Sequence, residues 1–232
     1  MMLQNYILEQ QKKQNQKSDF YTSSGLHVYF KEPLTNDEIN VEEVIAKVES
    51  VLPHHLRSEV EMIIFGHFKE FEERAINAFY DGGTLYISNV QDDAADLYDD
   101  IIHEFSHSLE APYGYELYGD QKIKDEFLRK RQHMHDILWK SGYKAPLSFY
   151  MNVELDAEFD EFLYQKVGYD KLSSLLMGLF ITPYAATSLR EYFATGFSDF
   201  YLYPGHNTLS KVSPQLYKKL LTLQDIEKLD NT

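Results

Sequence analysis

The sequence contains no cysteine among its 232 residues. Without thiols the chain forms no disulfide, no thiolate zinc site and no iron–sulfur cluster, and it has no cysteine nucleophile. Any metal ion bound by these side chains must therefore be held by histidine, aspartate and glutamate.

Basic residues are scarce relative to acidic ones, 22 against 37, which gives a formal net charge of −15. An acidic surface repels phosphate backbones and anionic lipid headgroups, so the charge disfavours nucleic-acid and membrane partners. Long hydrophobic runs are also missing, because the longest apolar stretch, near residues 175–181, is too short to cross a bilayer. Residues 1–20 are rich in Gln and Lys and lack the apolar region of a secretory signal. We therefore expect a cytoplasmic location, while non-Sec export and association with a phage or virion stay open.

No linker and no internal repeat divides the chain after its first 20 residues. We predict a polar lead-in over 1–20 and one domain over 21–232. Strands are predicted at 26–30 and 61–65 and in a hairpin over 76–88, and helices at 40–52, 92–110, 121–140, 153–167, 170–179, 188–202 and 214–222. This order predicts an α+β fold: a small mixed sheet with helices over 21–111, then a mostly helical subdomain over 112–232.

The residues that carry the chemistry form an H-E-x-x-H sequence at 103–107, inside the predicted helix over 92–110. At about 100° per residue, His103 and His107 lie about 40° apart on one helix face, so both imidazoles can reach one zinc ion. Glu104 lies beside them and suits the role of a base that takes a proton from the attacking water. The motif predicts a catalytic zinc site built on a helix.

Other charged residues near these positions have simpler interpretations. Asp96 and Asp100 share the histidine side of the helix and could hold a ring N–H, but we favour solvated acids near the helix start. The charged run over 124–131 is interpreted as a solvated helix face.

A third zinc ligand has to come from outside the motif. The metzincin extension requires Gly and His at offsets where this chain has Glu110 and Tyr113, so that arrangement is excluded. Glutamates on later helices are the alternative, and five qualify: Glu126, Glu154, Glu158, Glu161 and Glu191. Spacing alone does not choose among them. Glu191 is favoured by its setting, with Glu158 next, although Ser188 and Glu191 also form a capping-box pattern.

The H-E-x-x-H sequence is followed at a distance by Tyr184 and, seven residues later, by Glu-Tyr-Phe-Ala at 191–194. This combination resembles the catalytic domain of the anthrax lethal factor-like zincins, which include lethal factor and the Pro-Pro endopeptidases. The chain departs from the commoner family pattern at Ser106, often Gly, and at Thr195 in the helix that follows Glu191. Neither position is an implied metal ligand.

The resemblance implies a zinc-dependent endopeptidase of the H-E-x-x-H gluzincin type that acts on a protein or peptide substrate. It implies that His103, His107 and Glu191 bind Zn²⁺. It also implies that Glu104 is the general base and that Tyr184 donates a hydrogen bond to the developing oxyanion.

The hairpin resembles the one that precedes the zinc helix in this family. We expect its second strand, at 84–88, to lie at the sheet edge and to hold an extended substrate by strand addition. The alternative function is a non-catalytic acidic binding or assembly protein with a structural or vestigial zinc site. Cleavage specificity, oligomeric state and biological role, whether toxin, phage or housekeeping, stay open.

Overall fold

A computed structural model describes residues 19–225, except residues 75, 204 and 206. Most of the predicted lead-in, residues 1–18, lies outside the described residues. The chain divides into two compact units, Met1–Leu109 and Glu110–Thr232. Within the described residues, no helix combines the length and the apolar character needed to span a membrane.

A five-stranded mixed sheet forms the centre of the first unit. Its strands are β1 (Phe20–Tyr21), β2 (His27–Phe30), β3 (Met62–Gly66), β4 (Ala78–Asp81) and β5 (Thr84–Ser88). They lie in the order β1-β2-β3-β5-β4, in which β2, β3 and β5 are parallel and the two outer strands are antiparallel to their neighbours. The predicted small mixed sheet is confirmed, and β1 adds a short strand that was not predicted.

The predicted hairpin is also confirmed. Its turn residues Gly82 and Gly83 have φ angles of +52° and +85°, the left-handed values that a tight two-residue turn requires. The expected position of β5 is wrong, because β5 pairs with β3 on one side and β4 on the other. Leu85 and Ile87 of β5 are fully buried, whereas β4 ends at the exposed Asp81. The more apolar arm of the hairpin therefore takes the inner position, and β4 lies at one edge of the sheet, with β1 at the other.

The described residues of the first unit also form three α-helices: α1 (Val41–Val51), α2 (Lys69–Arg74) and α3 (Ala94–Ser108). Helix α3 begins after Asp93, whose Oδ1 accepts hydrogen bonds from the backbone N–H groups of Ala95 and Asp96 at 2.7 and 2.9 Å. Those bonds lower the pKa of the Asp93 carboxyl. Helix α3 packs against α1, β4 and β5 and buries the predicted apolar stripe, which includes Ile101 and Phe105.

The second unit is helical. Its helices are α4 (Gly114–Tyr118), α5 (Lys122–Lys140), α6 (Leu147–Met151), α7 (Ala157–Glu161), α8 (Tyr169–Leu175), α9 (Leu189–Leu202), α10 (Asn207–Val212) and α11 (Pro214–Gln224). Helix α5 packs against α4, α6, α9 and α11. The predicted mostly helical second half is therefore confirmed, and with the sheet it makes the described chain α+β.

Two of the predicted helices in this unit are shorter than expected. The helix predicted from 153 begins only after Asp156, because that carboxylate accepts the first backbone N–H groups of α7. A π-helical turn, Phe162–Val167, continues α7. Helix α8 ends at Leu175, and Gly178 follows with a φ of +76°, which no right-handed helix accommodates.

The interpretation of 124–131 as a solvated face is wrong at three positions. Glu126, Lys130 and Arg131 are all buried, and Arg131 is fully so. The reason is periodicity, because the buried stripe of α5 runs through Ile123, Phe127, Met134 and Leu138, and residues 130 and 131 fall in the middle of that stripe.

Candidate metal centre

The two histidines of the motif lie on the partly exposed side of α3, opposite its buried stripe. The ring centroids of His103 and His107 are 5.1 Å apart, with an angle of 74° between the ring planes. Rings one helical turn apart on the same face can direct one nitrogen each toward a shared ion. The helix therefore presents half of a metal site within a single element.

Glu104 lies between these histidines in the sequence and is 7% exposed. The turn around it is reinforced by Ser106 and Ser108, whose hydroxyls donate to the carbonyl oxygens of His103 and Phe105 at 2.6 and 2.7 Å. Ser106 is fully buried. Its side chain therefore fits inside the turn.

Glu191 lies in the first turn of α9. The side chain of Ser188 accepts a hydrogen bond from the backbone N–H of Glu191 at 3.1 Å, so the capping pattern seen in the sequence is used. The capping bond involves the backbone of Glu191. Its carboxylate takes part in the only group of potential metal ligands found among the described residues.

That group consists of His103, His107 and Glu191. Each offers one ligand atom, and these atoms all lie within 4.8 Å of one another. Two imidazole nitrogens and one carboxylate oxygen are the protein ligands of catalytic zinc sites, in which a fourth position stays open. Ligand atoms around a tetrahedral zinc at about 2.1 Å lie about 3.4 Å apart. The three residues thus form a possible metal-binding group.

Glu126, another candidate metal ligand, is hydrogen-bonded within the second unit. Its carboxylate accepts a hydrogen bond from the Tyr192 hydroxyl at 2.9 Å and from the backbone N–H groups of Gln215 and Leu216 at 2.9 and 3.2 Å. It therefore caps the start of α11 and is not available to a metal. The other candidates, Glu154, Glu158 and Glu161, are exposed and join no metal-binding group within the described residues.

The two aspartates of α3 differ from each other. Asp96 is exposed, as expected for a solvated acid. Asp100 is half-buried and accepts a hydrogen bond from Gln91 Nε2 at 3.2 Å, so the solvated interpretation is wrong there. Burial raises the pKa of Asp100 to about 6, with smaller contributions from the negative charges of Asp96, Asp99 and Glu104.

Tyr184 opens a 3₁₀ turn, Tyr184–Ala186, and its side chain is 38% exposed. Its carbonyl oxygen accepts hydrogen bonds from the backbone N–H and the hydroxyl of Thr187 at 3.0 and 2.8 Å. The turn is therefore closed immediately before the cap of α9.

Asp160 and Tyr169 are two residues near Glu191 that the sequence did not indicate. The Tyr169 hydroxyl donates to Asp160 at 3.5 Å. Burial raises the pKa of both groups, to about 12 for Tyr169, and the negative charge of Glu191 raises them further. The π-helical turn Phe162–Val167 separates Asp160 from Tyr169, so regular helical spacing does not predict that the two residues meet.

Comparison with known proteins leaves the resemblance as a hypothesis. No protein-family model matches the chain, and no curated protein and no solved structure matches it significantly.

Proposed function

We propose that this protein is a zinc-dependent endopeptidase of the H-E-x-x-H gluzincin type. The observation that carries the proposal is the grouping of the ligand atoms of His103, His107 and Glu191 within 4.8 Å. The resemblance of the same residues to the lethal factor-like zincins supports it. Zinc bound there would supply a Lewis acid that polarises a peptide carbonyl and lowers the pKa of a water toward 7.

The ligands impose a charge requirement on this chemistry. His103 and His107 bind a metal only as neutral imidazoles, and Glu191 binds only as a carboxylate. The three ligands together carry one negative charge, which leaves a net positive site when a divalent ion is bound.

Glu104 is assigned to proton transfer. It takes a proton from the attacking water and then passes that proton to the amine that leaves. Tyr184 is assigned to the carbonyl oxygen, to which its hydroxyl donates a hydrogen bond as negative charge develops.

We assign substrate binding to β4 rather than to β5, because β4 lies at one edge of the sheet whereas β5 is paired on both sides. An extended peptide beside Ala78–Asp81 would use backbone hydrogen bonds for affinity. Binding through backbone hydrogen bonds accepts peptides of many sequences, as an endopeptidase requires. It also moves the binding strand to the first arm of the predicted hairpin.

The decisive test replaces Glu104 by Gln. We expect the variant to retain one zinc per chain and to lose about 10²–10⁴-fold in cleavage rate, the usual scale for loss of a general base. Metal content is measured by mass spectrometry, and cleavage by digestion of an unfolded protein followed by peptide mapping. The matched control is Glu158→Gln, the same change at an exposed helical glutamate, which should leave both values unchanged.

The possible outcomes separate the proposed activity from the alternative. A parental cleavage rate in Glu104→Gln would show that Glu104 is not the general base. Stoichiometric zinc in the parent protein without cleavage of any peptide in a random library would instead favour a non-catalytic zinc-bearing binding protein.

A further inference from the structure

Arg131, in the middle of α5, is a fully buried cation. Its Nη1 donates to the carbonyl oxygens of Ala186 and Thr187 at 2.5 and 3.2 Å, and its Nη2 donates to that of Phe149 at 2.5 Å. The guanidinium carbon lies 4.0 Å from the centre of the Phe159 ring. One side chain therefore joins α5, α6, α7 and the segment that precedes α9.

This arrangement is energetically expensive for a structural role alone. The hydrogen bonds of Arg131 go to backbone carbonyls rather than to a carboxylate, and its Nε has no hydrogen-bond partner. Burial lowers its pKa to about 9, so the group stays charged at neutral pH. Removing a cation from water costs several kcal/mol, which its carbonyl and aromatic contacts and the negative charge of Asp156 offset in part.

The carbonyls that Arg131 binds have a specific place in the chain. Ala186 ends the 3₁₀ turn that begins at Tyr184, and Thr187 immediately precedes Ser188, the cap of α9. The planar guanidinium contacts both through one nitrogen, which restricts the rotation of the peptide between them. The restricted peptide lies between Tyr184 and Glu191, the two residues of this unit assigned to the site.

A second bond fixes the same junction. The backbone N–H of Leu189 donates to the carbonyl oxygen of Val153 at 2.8 Å. The start of α9 is therefore held by α5 on one side and by the 152–156 loop on the other. Of these contacts, the one from Arg131 is made by a side chain and can be removed by mutation.

We infer that Arg131 is a positioning residue for the metal centre: by holding the Ala186 and Thr187 carbonyls it sets where α9 begins and so where the Glu191 carboxylate lies. The inference rests on the proposed function. Arg131 itself contacts neither metal nor substrate. Residues that orient metal ligands typically change metal affinity about 10–100-fold when they are replaced.

The neighbouring Lys130 provides a matched control. It is also buried, and its Nζ donates to the carbonyl oxygens of Leu179 and Val212 at 2.5 and 2.6 Å and to the Ser213 hydroxyl at 3.3 Å. None of these groups belongs to the 184–191 segment. Replacing Lys130 removes a buried cation with a similar number of carbonyl bonds from the same helix. Its contact with α9 is to the Tyr192 ring, whose centre lies 5.4 Å from Nζ, and not to the carbonyl groups that precede the helix.

The experiment compares Arg131→Met and Lys130→Met in the full chain. Zn²⁺ affinity is measured by competition with a chromophoric chelator, and the melting temperature of each metal-free variant is measured in parallel. We expect both variants to melt at lower temperature. Arg131→Met should bind Zn²⁺ at least 10-fold more weakly than the parent protein, whereas Lys130→Met should stay within about twofold.

Equal Zn²⁺ affinity in the two variants would overturn the inference, because both would then act through general stability. If Arg131→Met does not fold, Arg131→Lys decides, since it keeps the charge but loses the planar fork. A threefold or greater loss of Zn²⁺ affinity in a folded Arg131→Lys supports the inference, and parental affinity overturns it. A parent protein that binds no Zn²⁺ overturns the proposed function as well, so the two failures are distinguishable.

Discussion

At the residue scale, burial and hydrogen bonding decide which acidic side chains are suited to chemistry. Glu126 and Glu191 are both glutamates in the second unit, yet Glu126 is committed to Tyr192 and to the start of α11. Glu191 groups with two imidazoles. Residue type and spacing do not distinguish Glu126 from Glu191 as a metal ligand. The contacts of each carboxylate do.

Asp100 provides a pH-dependent prediction at this scale. Its folded-state pKa of about 6 lies above the ordinary value of 3.8, so between these values the folded protein binds more protons than the unfolded chain. Stability therefore rises as pH falls through 6 toward 4, and the ionised Asp100 is a destabilising group above pH 6. Asp100→Asn should be more stable than the parent protein at pH 7.5, by a few degrees in melting temperature, and this advantage should shrink toward pH 4.

The measurement is thermal melting of the metal-free protein from pH 4 to 8. Asp96→Asn serves as the control, because Asp96 is an exposed acid of the same helix. Parallel curves for Asp100→Asn and the parent protein would show that the Asp100 carboxyl titrates at its ordinary pKa.

At the element scale, long helices and their caps could be predicted well. Asn40, Asp93 and Ser188 accept the first N–H groups of α1, α3 and α9, close to where those helices were predicted to begin. The short elements are not predicted: β1 has two residues, and α2, α4, α6 and α10 have five or six. Helices of five or six residues span fewer than two turns, and a strand of two residues spans one pleat. Segments this short show no periodicity of hydrophobic residues.

The packing of α9 against α11 gives a prediction for Gly196. A Cβ at Gly196 would overlap the side chain of the buried Leu216, whose Cγ would lie at 3.1 Å. Gly196→Ala should therefore destabilise the protein by about 1–3 kcal/mol from overpacking, which exceeds the helix-propensity gain of up to about 1 kcal/mol. The measurement is urea unfolding.

Gly114→Ala is the control, because nothing lies within 4 Å of its added Cβ. A double variant with Leu216→Ala should lose less stability than the sum of the single changes, since the overlap is then relieved. Additive losses would mean that Gly196 matters for a reason other than this contact.

At the scale of the whole molecule, metal binding should be linked to unfolding. A ligand that binds only the folded state stabilises it by about 2.7 kcal/mol at 100 times its Kd. Because His103, His107 and Glu191 come from distant parts of the sequence, the unfolded chain does not keep them together. We therefore expect Zn²⁺ to raise the melting temperature of the parent protein by several degrees and a chelator to reverse the change.

Glu191→Ala should lose most of this Zn²⁺-dependent shift, whereas Glu158→Ala should keep it. Both variants remove one carboxylate, so the −15 charge changes equally. A full shift in Glu191→Ala would assign the third ligand to another residue.

Much of this protein follows from its sequence alone. The α+β order, the glycine turn between β4 and β5, the capped helix α3 and the pairing of His103 with His107 are local features, and local spacing determines them. The same holds for the chemistry of the ligand set, because a chain without cysteine offers a metal only nitrogen and oxygen donors.

Only the tertiary structure decided which strand is the edge, which glutamate joins the histidines and where the charges of α5 lie. Strand order depends on pairing between β3 and β5, which are separated in sequence by β4. The sequence predicts a surface position for Arg131, because a charged side chain is normally solvated, although the residue falls on the apolar stripe of α5. Its burial depends on carbonyl groups supplied by residues 149, 186 and 187, and no local pattern in α5 specifies contacts so distant in sequence.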